Sequence, residues 1–548
     1  MNKNTAIAFT VLACVAGGPA APCLEAAPAV PRPGDSLGAE MGKPAPEIDN
    51  QAAQPAAPAK ELHFTLRGIR VDQPETRFPQ KDMDAITAQA VGHEITVKDL
   101  DRVLSQLSAY GRSHGYPAAY AFVPEQRTKN GVLEIRIALG RFGKVIVEDG
   151  AGKNAQERAK GLIAGLRTGE VIKEQPLETA LVNVNNMYGV NAAGKLIPGA
   201  SEGTSDLIIK LSPGRKQTAT IYSDNYGSKA SGRYRYGFQA GFMDLGETGG
   251  RLTVGGLISN SNMHNYNIGW DMQLGHSGTN VGIRYSRMDY ELGDVFSAID
   301  ARGIANTTSL YAVTPLWHTV RSSLAVKYGF DYRDIKDELQ NLSAKKHSYA
   351  GYIGLEGTLR NPQGGGMHAS LTAYTGTVGA DSDFAYTQGN ARNSLGRYTK
   401  GVLDTAVLQR IGHTCDFLFK FQGQLASRNL DSSEQMYVGG IHGVRAYPTG
   451  TGSGDEGCLA NMELRYHTPV KGLMLRAYYD VGRVRMRKDG VGGSATLQGW
   501  GIGVTYTHSS NWFARLDYAR RIGLPDYLAN DDSASSPQRM WFLLGKTI

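Results

Sequence analysis

Residues 473–482 read LMLRAYYDVG, and the alternation in these ten residues decides the architecture. Successive side chains of an extended strand point to opposite faces, so Leu475, Ala477, Tyr479 and Val481 share one face and Arg476, Tyr478, Asp480 and Gly482 the other. The first set suits lipid and the second a polar lumen, which makes Asp480 an acid inside a barrel. One segment upstream, Met462, Leu464 and Tyr466 oppose Glu463, Arg465 and His467 in the same way.

Sixteen segments of roughly ten residues alternate like this. They begin near Gln217, Gly232, Arg251, Met263, Thr279, Thr308, Ser322 and Lys346, then near Gly365, Tyr398, Thr414, Cys458, Leu473, Leu497, Phe513 and Gln538. Every second connection is short, such as GHSGT at 275–279, RSS at 321–323 and IGH at 411–413, while several of the others are long. Short periplasmic turns alternating with longer external loops belong to outer-membrane barrels, and a secreted β-sandwich has no reason to show them. The reading is a membrane β-barrel of 16 antiparallel strands over residues 216–548. Its longest external loop, the sixth, runs from about 427 to 457.

Composition agrees. The chain holds 68 glycines, and its 27 tyrosines outnumber 15 phenylalanines, as expected of turn-rich sheet with aromatics at membrane interfaces. After the N-terminus no run of about 18 apolar residues could make a helical span. The net charge of +7 is spread without a dense basic run, which argues against a nucleic-acid partner. The twelve histidines form no HExxH pair or metal cluster, and GASEG at 199–203, the GxSxG spacing, lies between two strands rather than at a strand-to-helix elbow, so no catalytic residue, metal or cofactor is assigned. GAGKN at 150–154 lacks the spaced first glycine and the Ser or Thr of a phosphate loop and reads as a turn.

Residues 1–28 read as a secretory signal peptide, with a lysine, an apolar core from Ala6 to Val15 and small residues for cleavage; VLAC ending at Cys14 resembles a lipobox after a short core. Residues 29–60 are an Ala/Pro-rich arm that cannot build a core. Cys415 and Cys458 would sit in an oxidising compartment, where they could pair or remain two separate strand thiols. Residues 61–140 then run strand, helix, helix, strand, strand, a small α+β unit. In its second helix Leu100, Val103, Leu104 and Leu107 share one face, and Gly111 with Gly115 marks the stop. Residues 141–215 repeat the order.

The sixth loop contains GGIHGVRAYPTG at 439–450. An arginine fork matches a carboxylate through two parallel hydrogen bonds, which lysine cannot reproduce. Arg445 on a long loop, with lumenal Asp480 one hairpin away, suggests that the loop folds back into the barrel and pairs there; the alternative is an exposed loop arginine paired with solvent.

Two small repeats ahead of a sixteen-strand barrel resemble the transporters of two-partner secretion (TpsB type, the ShlB/FhaC/HecB-like haemolysin secretion/activation proteins) in the Omp85 superfamily, whose periplasmic repeats are POTRA domains. The segment 114–147 resembles the junction of the two POTRA domains, including Gly115, Tyr116, Pro124, Gln126 and Gly131. YSDNYGSKASGRYRYG resembles the first barrel hairpin, with Asn225, Gly227 and Gly232. Val444, Arg445, Ala446 and Tyr447 resemble the sixth-loop motif VRGY, with Ala446 in place of its glycine. Tyr479, Asp480 and Gly482 resemble the strand-thirteen motif whose aspartate pairs with that arginine. The resemblance implies an outer-membrane protein with its N-terminal domains in the periplasm. It would export a large secreted exoprotein (TpsA-like) carrying an N-terminal secretion domain, without nucleotide, with activation of that exoprotein as an additional role left open by the resemblance. Outer-membrane lipid and, during biogenesis, the barrel assembly machinery are the other partners implied. An Omp85-type insertase is the alternative, although such proteins as a rule carry more periplasmic repeats.

Overall fold

The computed structural model describes residues 48–50, 63–126, 131–293, 300–340, 342–525 and 536–548; the expected leader and most of the arm lie outside them. The first unit opens with the short strands His63–Thr65 (β2) and Gly68–Asp72 (β3), after an arm strand Ile48–Asn50 (β1). Helix Gln80–Thr87 (α1), strand Glu94–Thr96 (β4), helix Val97–Ser113 (α2) and strands Tyr120–Phe122 (β5) and Val132–Ala138 (β6) complete it. Thr96 caps α2 reciprocally: its hydroxyl accepts from Asp99 N at 3.2 Å, and its own N–H donates to Asp99 Oδ2 at 3.0 Å. The apolar face read from the sequence packs inward, with Val103 and Leu107 buried against Met83, Ile135 and Ile137. Gly111 is not a stop. It lies inside the helix, where a Cβ would come within 2.7 Å of Ala119, and the chain turns at Gly115 with φ +89.

The second unit has the same order: strand Arg141–Glu148 (β7), helices Lys153–Leu162 (α3) and Glu174–Asn185 (α4), and strands Val190–Pro198 (β8) and Thr204–Pro213 (β9). GAGKN is the turn into α3, with Gly152 at φ +98. The sheet order is β1-β8-β9-β7, so part of the arm read as coreless and weakly ordered makes a strand. β1 lies parallel to β8, in register from Ile48 opposite Gly194 to Asn50 opposite Leu196. The arm needs no core of its own there, because a sheet edge supplies its hydrogen bonds.

Beyond Pro213 sixteen strands close an antiparallel barrel. The first eight are Gln217–Asp224 (β10), Arg235–Met243 (β11), Gly250–Ser259 (β12), Met263–Leu274 (β13), Thr279–Glu291 (β14), Ala301–His318 (β15), Ser322–Leu339 (β16) and Leu342–Arg360 (β17). Gly366–Ala380 (β18), Gly396–Ile411 (β19) and Cys415–Ala426 (β20) follow. The sixth loop, holding the two-residue strands Met436–Tyr437 (β21) and Ser453–Gly454 (β22), leads to Glu456–His467 (β23), Leu473–Arg485 (β24), Ser494–Thr507 (β25), Trp512–Arg521 (β26) and Gln538–Thr547 (β27). β27 closes on β10, with Asn225 fastening the seam by accepting from Phe542 N at 2.8 Å and donating to Met540 O at 2.9 Å.

Strand starts fall close to the sequence reading except in β15, which begins at Ala301 rather than near Thr308, and β15 to β19 are 15 to 19 residues long rather than about ten. At ~3.3 Å per residue and ~40° tilt such strands rise well past the ~25 Å apolar band. The outer ends of β16, RDIKDEL at 333–339, and of β17, LSAKKH at 342–347, are charged on both faces, and there the apolar alternation that reveals a strand ceases. On the outer wall Ile353, Leu371 and Ile502 are more than half exposed, as lipid contact requires. Cys415 and Cys458 are free: Cys458 pairs with Gly423, eight residues along β20 from Cys415.

Candidate functional site

The tip of the sixth loop is a fold of its own. Val444 N donates to Val438 O at 2.6 Å and Gly443 N to Gly440 O at 3.0 Å. The glycines of GGIHG are required by these contacts, since Gly440 has φ +107 and a Cβ on Gly443 would sit 2.2 Å from Val438 O. This tight turn presents Arg445 to the barrel wall.

Arg445 is 2 % exposed and Asp480 is fully buried. Arg445 Nη2 donates to Asp480 Oδ1 at 2.6 Å and Nε to Oδ2 at 2.8 Å, a two-pronged fork, and the Arg445 backbone N–H adds a third bond to Oδ2 at 3.1 Å. The remaining prong, Nη1, donates to Glu463 Oε1 at 2.6 Å. The guanidinium carbon lies 3.4 Å from the Tyr478 ring centroid. Asn461 Nδ2 bridges Asp480 Oδ1 at 2.7 Å and Gly443 O at 2.9 Å, while Trp541 Nε1 donates to Arg445 O at 2.7 Å. The loop tip therefore touches β23, β24 and β27 together.

The neighbouring residues fit around this anchor. Val444, Ala446 and Tyr447 are buried with Val438, Leu459, Val484 and Leu497. A Cβ at Gly482 would meet Val438 Cβ at 2.7 Å, so glycine at that point of β24 admits the loop. Ala446 does not take a positive φ, so the turn does not demand glycine there. Its methyl faces Gly499 of β25, where a Cβ would come within 2.6 Å of it, so the space for the alanine comes from the opposing wall.

Of the residues singled out in the sequence, Val444, Arg445, Ala446, Tyr447, Asp480 and Gly482 meet at this site. Tyr479 does not: it stands on the opposite face of β24, its hydroxyl donating to Gln498 Oε1 at 3.3 Å. The POTRA-motif residues organise their own domain. Gln126 behaves as a surrogate strand, donating to Glu134 O at 2.6 Å and to Pro124 O at 3.3 Å, and accepting from Glu134 N at 2.9 Å. Gly131, at φ +75, accepts from Arg67 N at 2.8 Å. Gly115 O accepts from Glu174 N at 2.9 Å and ties the first unit to α4 of the second, while the Tyr116 ring packs edge-on to Phe78. Glu463, Asn461, Tyr478 and Trp541 were not assigned to the anchor from sequence. Alternation placed Glu463 and Tyr478 in the lumen, but the register that sets Asn461 opposite Asp480 and Glu463 opposite Tyr478 has no local signal.

The second α+β unit sits on the turns at the other end of the barrel. Arg158 reaches Glu247 O at 2.9 Å and Asp244 Oδ1 at 3.2 Å. Gln273 Nε2 donates to Asn183 O at 3.1 Å, and Val320 N donates to Glu178 Oε2 at 3.0 Å. Burial at this junction holds the Glu178 carboxyl above its usual range, against the lowering effect of the Val320 N–H.

The sequence profile described as "Haemolysin secretion/activation protein ShlB/FhaC/HecB" matches residues 203–506, more than half of the chain, and that of the "POTRA domain, ShlB-type" matches residues 64–140. The chain is 25% identical over 527 residues to the heme/hemopexin transporter protein HuxB of Haemophilus influenzae, covering 92% of this chain and 91% of that protein. It is 24% identical over 491 residues to the outer membrane transporter CdiB of Dickeya dadantii, covering 85% and 84% of the two chains. The structure of CdiB from Escherichia coli shares the fold, with a TM-score of 0.68 at 20% identity over 90% of this chain and 92% of that one. The barrel, the POTRA unit and the profile match agree: the chain belongs to the haemolysin secretion/activation protein family of ShlB, FhaC and HecB, outer-membrane transporters of two-partner secretion.

Proposed function

We propose that this transporter binds a secreted exoprotein as an extended chain at its periplasmic domains and passes it through the barrel without nucleotide. The exoprotein carries an N-terminal secretion domain, and its folding outside the cell draws the chain through. The sixth loop, seated in the lumen through Arg445, sets whether the lumen conducts. The observation that carries this reading is the loop running from the outer end of the barrel down to a buried Arg445, held by Asp480 and Glu463 on the inner wall. Such a buried, forked pair fixes position more than it stabilises the fold, which is what a gate needs. The β8 edge supports recognition in extended form, since it already accepts three residues of the arm as a parallel strand. Val444, Ala446, Tyr447 and Gly482 shape the seat, and Gly115, Tyr116, Pro124, Gln126 and Gly131 keep the first POTRA unit folded and joined to the second. Residues 1–28 act as the signal peptide. The test is secretion by Arg445→Ala in cells where heat-modifiable mobility shows the barrel assembled. Loss of export is expected, and unchanged export overturns the gating role.

A further inference from the structure

The sixth loop carries a second set of buried charges, held by strands other than those that seat Arg445. Just beyond the end of β20 the chain reads NLDSSEQMY at 429–437. Asp431 caps a single 3-10 turn, Ser432–Glu434, its side chain accepting from Ser433 N at 3.1 Å. Asp431 and Glu434 bracket this turn, and both carboxylates reach the barrel wall. Three cations from three strands meet them. Lys400 of β19 lies 3.0 Å from Glu434 Oε2 and donates to Glu434 O at 2.9 Å. Arg333 of β16 bonds Glu434 Oε1. Lys346 of β17 holds both oxygens of Asp431, at 3.0 and 3.2 Å.

Burial makes this cluster more than a surface ion network. Lys400 is 2 % exposed, Glu434 1 % and Arg333 6 %, levels that charged side chains reach only when paired. Gln424 of β20 then clasps both arms of the loop, donating to Glu434 O and to Asp455 O, each at 3.1 Å. Arg333, Lys346, Lys400 and Gln424 all stand near the outer ends of their strands, opposite the end that carries the POTRA contacts. Asp480 and Glu463 lie deeper, within β24 and β23.

The geometry points to a two-anchor loop: Asp431 and Glu434 on Lys346, Lys400 and Arg333 form a rim anchor that holds the stem as a hinge while the Arg445 tip leaves its seat during export. The asymmetry supports this order of release. The rim joins two loop carboxylates to three wall cations and clasps both arms, whereas at the tip one guanidinium makes all the charge pairing, beside single wall bonds from Asn461 to Gly443 O and from Trp541 to Arg445 O. Asp431, Glu434, Lys346, Lys400 and Arg333 are positioning residues, and the inference rests on the gating role of Arg445 proposed above.

The test uses the full-length transporter with Cys415→Ser and Cys458→Ser, and two cysteine pairs: Glu434→Cys with Lys400→Cys at the rim, and Arg445→Cys with Asp480→Cys at the tip. Each pair is bridged in cells by the same short bifunctional thiosulfonate, because a direct disulfide needs Cα atoms closer than about 7 Å and the rim contact runs through two long side chains. Unbridged, the rim pair is expected to secrete at least tenfold less than its parent, and bridging is expected to restore secretion. The bridged and unbridged forms are the same assembled polypeptide, so misfolding cannot produce the difference. Full secretion by the unbridged rim pair, or continued failure after bridging, overturns the hinge. The tip pair reports separately: export through a bridged tip refutes the role of Arg445 even where the rim result stands. As a second measurement, Asp431→Asn with Glu434→Gln in planar bilayers should switch among more conductance levels than the parent's low and high states; the parent's own two-level pattern contradicts the proposal.

Discussion

Replacing Arg445 with alanine removes three side-chain hydrogen bonds to two carboxylates and the contact with the Tyr478 ring. Asp480, fully buried, keeps only Asn461 and the residue-445 backbone N–H, and Glu463 keeps Arg465 Nε at 3.0 Å. Breaking a buried pair on one side costs about 3–5 kcal/mol, because the remaining charge stays desolvated. At ~1.4 kcal/mol per tenfold, the seated loop should lose roughly 100- to 5,000-fold in occupancy relative to the unseated one. Arg445→Lys keeps a charge but not the fork, and should lose about 1.5–3 kcal/mol. Single-channel recording in planar bilayers reads the seated and unseated states as dwell times in low and high conductance. The expected order of high-conductance occupancy is alanine above lysine above the unsubstituted protein. Lysine indistinguishable from arginine, together with an alanine shift below about threefold, would refute the reasoning, since ordinary surface pairs are worth that little.

Other consequences follow from packing and charge. Gly499→Ala should unseat the tip by overpacking against Ala446, at a cost of about 1–3 kcal/mol, and adding Ala446→Gly should restore low conductance; failure of that rescue contradicts the facing arrangement. Glu178 has a raised carboxyl in the docked state, so docking of α4 on the barrel turns should be strongest at acidic pH and weaken as pH rises through that raised value. Hydrogen exchange of residues 174–185 between pH 4 and 7 should show this, with Glu178→Gln flat across the range. Cys415 and Cys458 should both alkylate in unreduced, denatured protein, whereas loss of both thiols would show a disulfide that the register forbids.

What could be read from sequence followed the range of the physics. Period-two alternation is local, so it located the barrel strands and placed Asp480, Glu463 and Tyr478 on the lumenal face. The glycines of the loop tip were visible as a peculiarity, and Arg445 with Asp480 as a fork awaiting its partner. Glu463 as second acceptor, Trp541 closing on the Arg445 carbonyl and the rim contacts of Glu434 with Arg333 were hidden, because each joins strands distant in sequence through barrel register and closure. The outer ends of β16 and β17 were missed because charge on both faces erases the alternation once a strand leaves the membrane. Gly111 misled for another reason: its missing Cβ serves a close approach to Ala119 rather than a turn.

In the proposed gating cycle the sixth-loop tip sits on β24 at rest and leaves it while a chain passes. Spin labels at His442, exposed to the lumen, and at Lys471, on the exposed turn below β24, report that displacement as a distance distribution. At rest a single narrow distribution is expected. With an export intermediate stalled in the barrel, a second population at longer distance should appear. An unchanged distribution with the exoprotein demonstrably inside the lumen would mean that the tip stays seated during export.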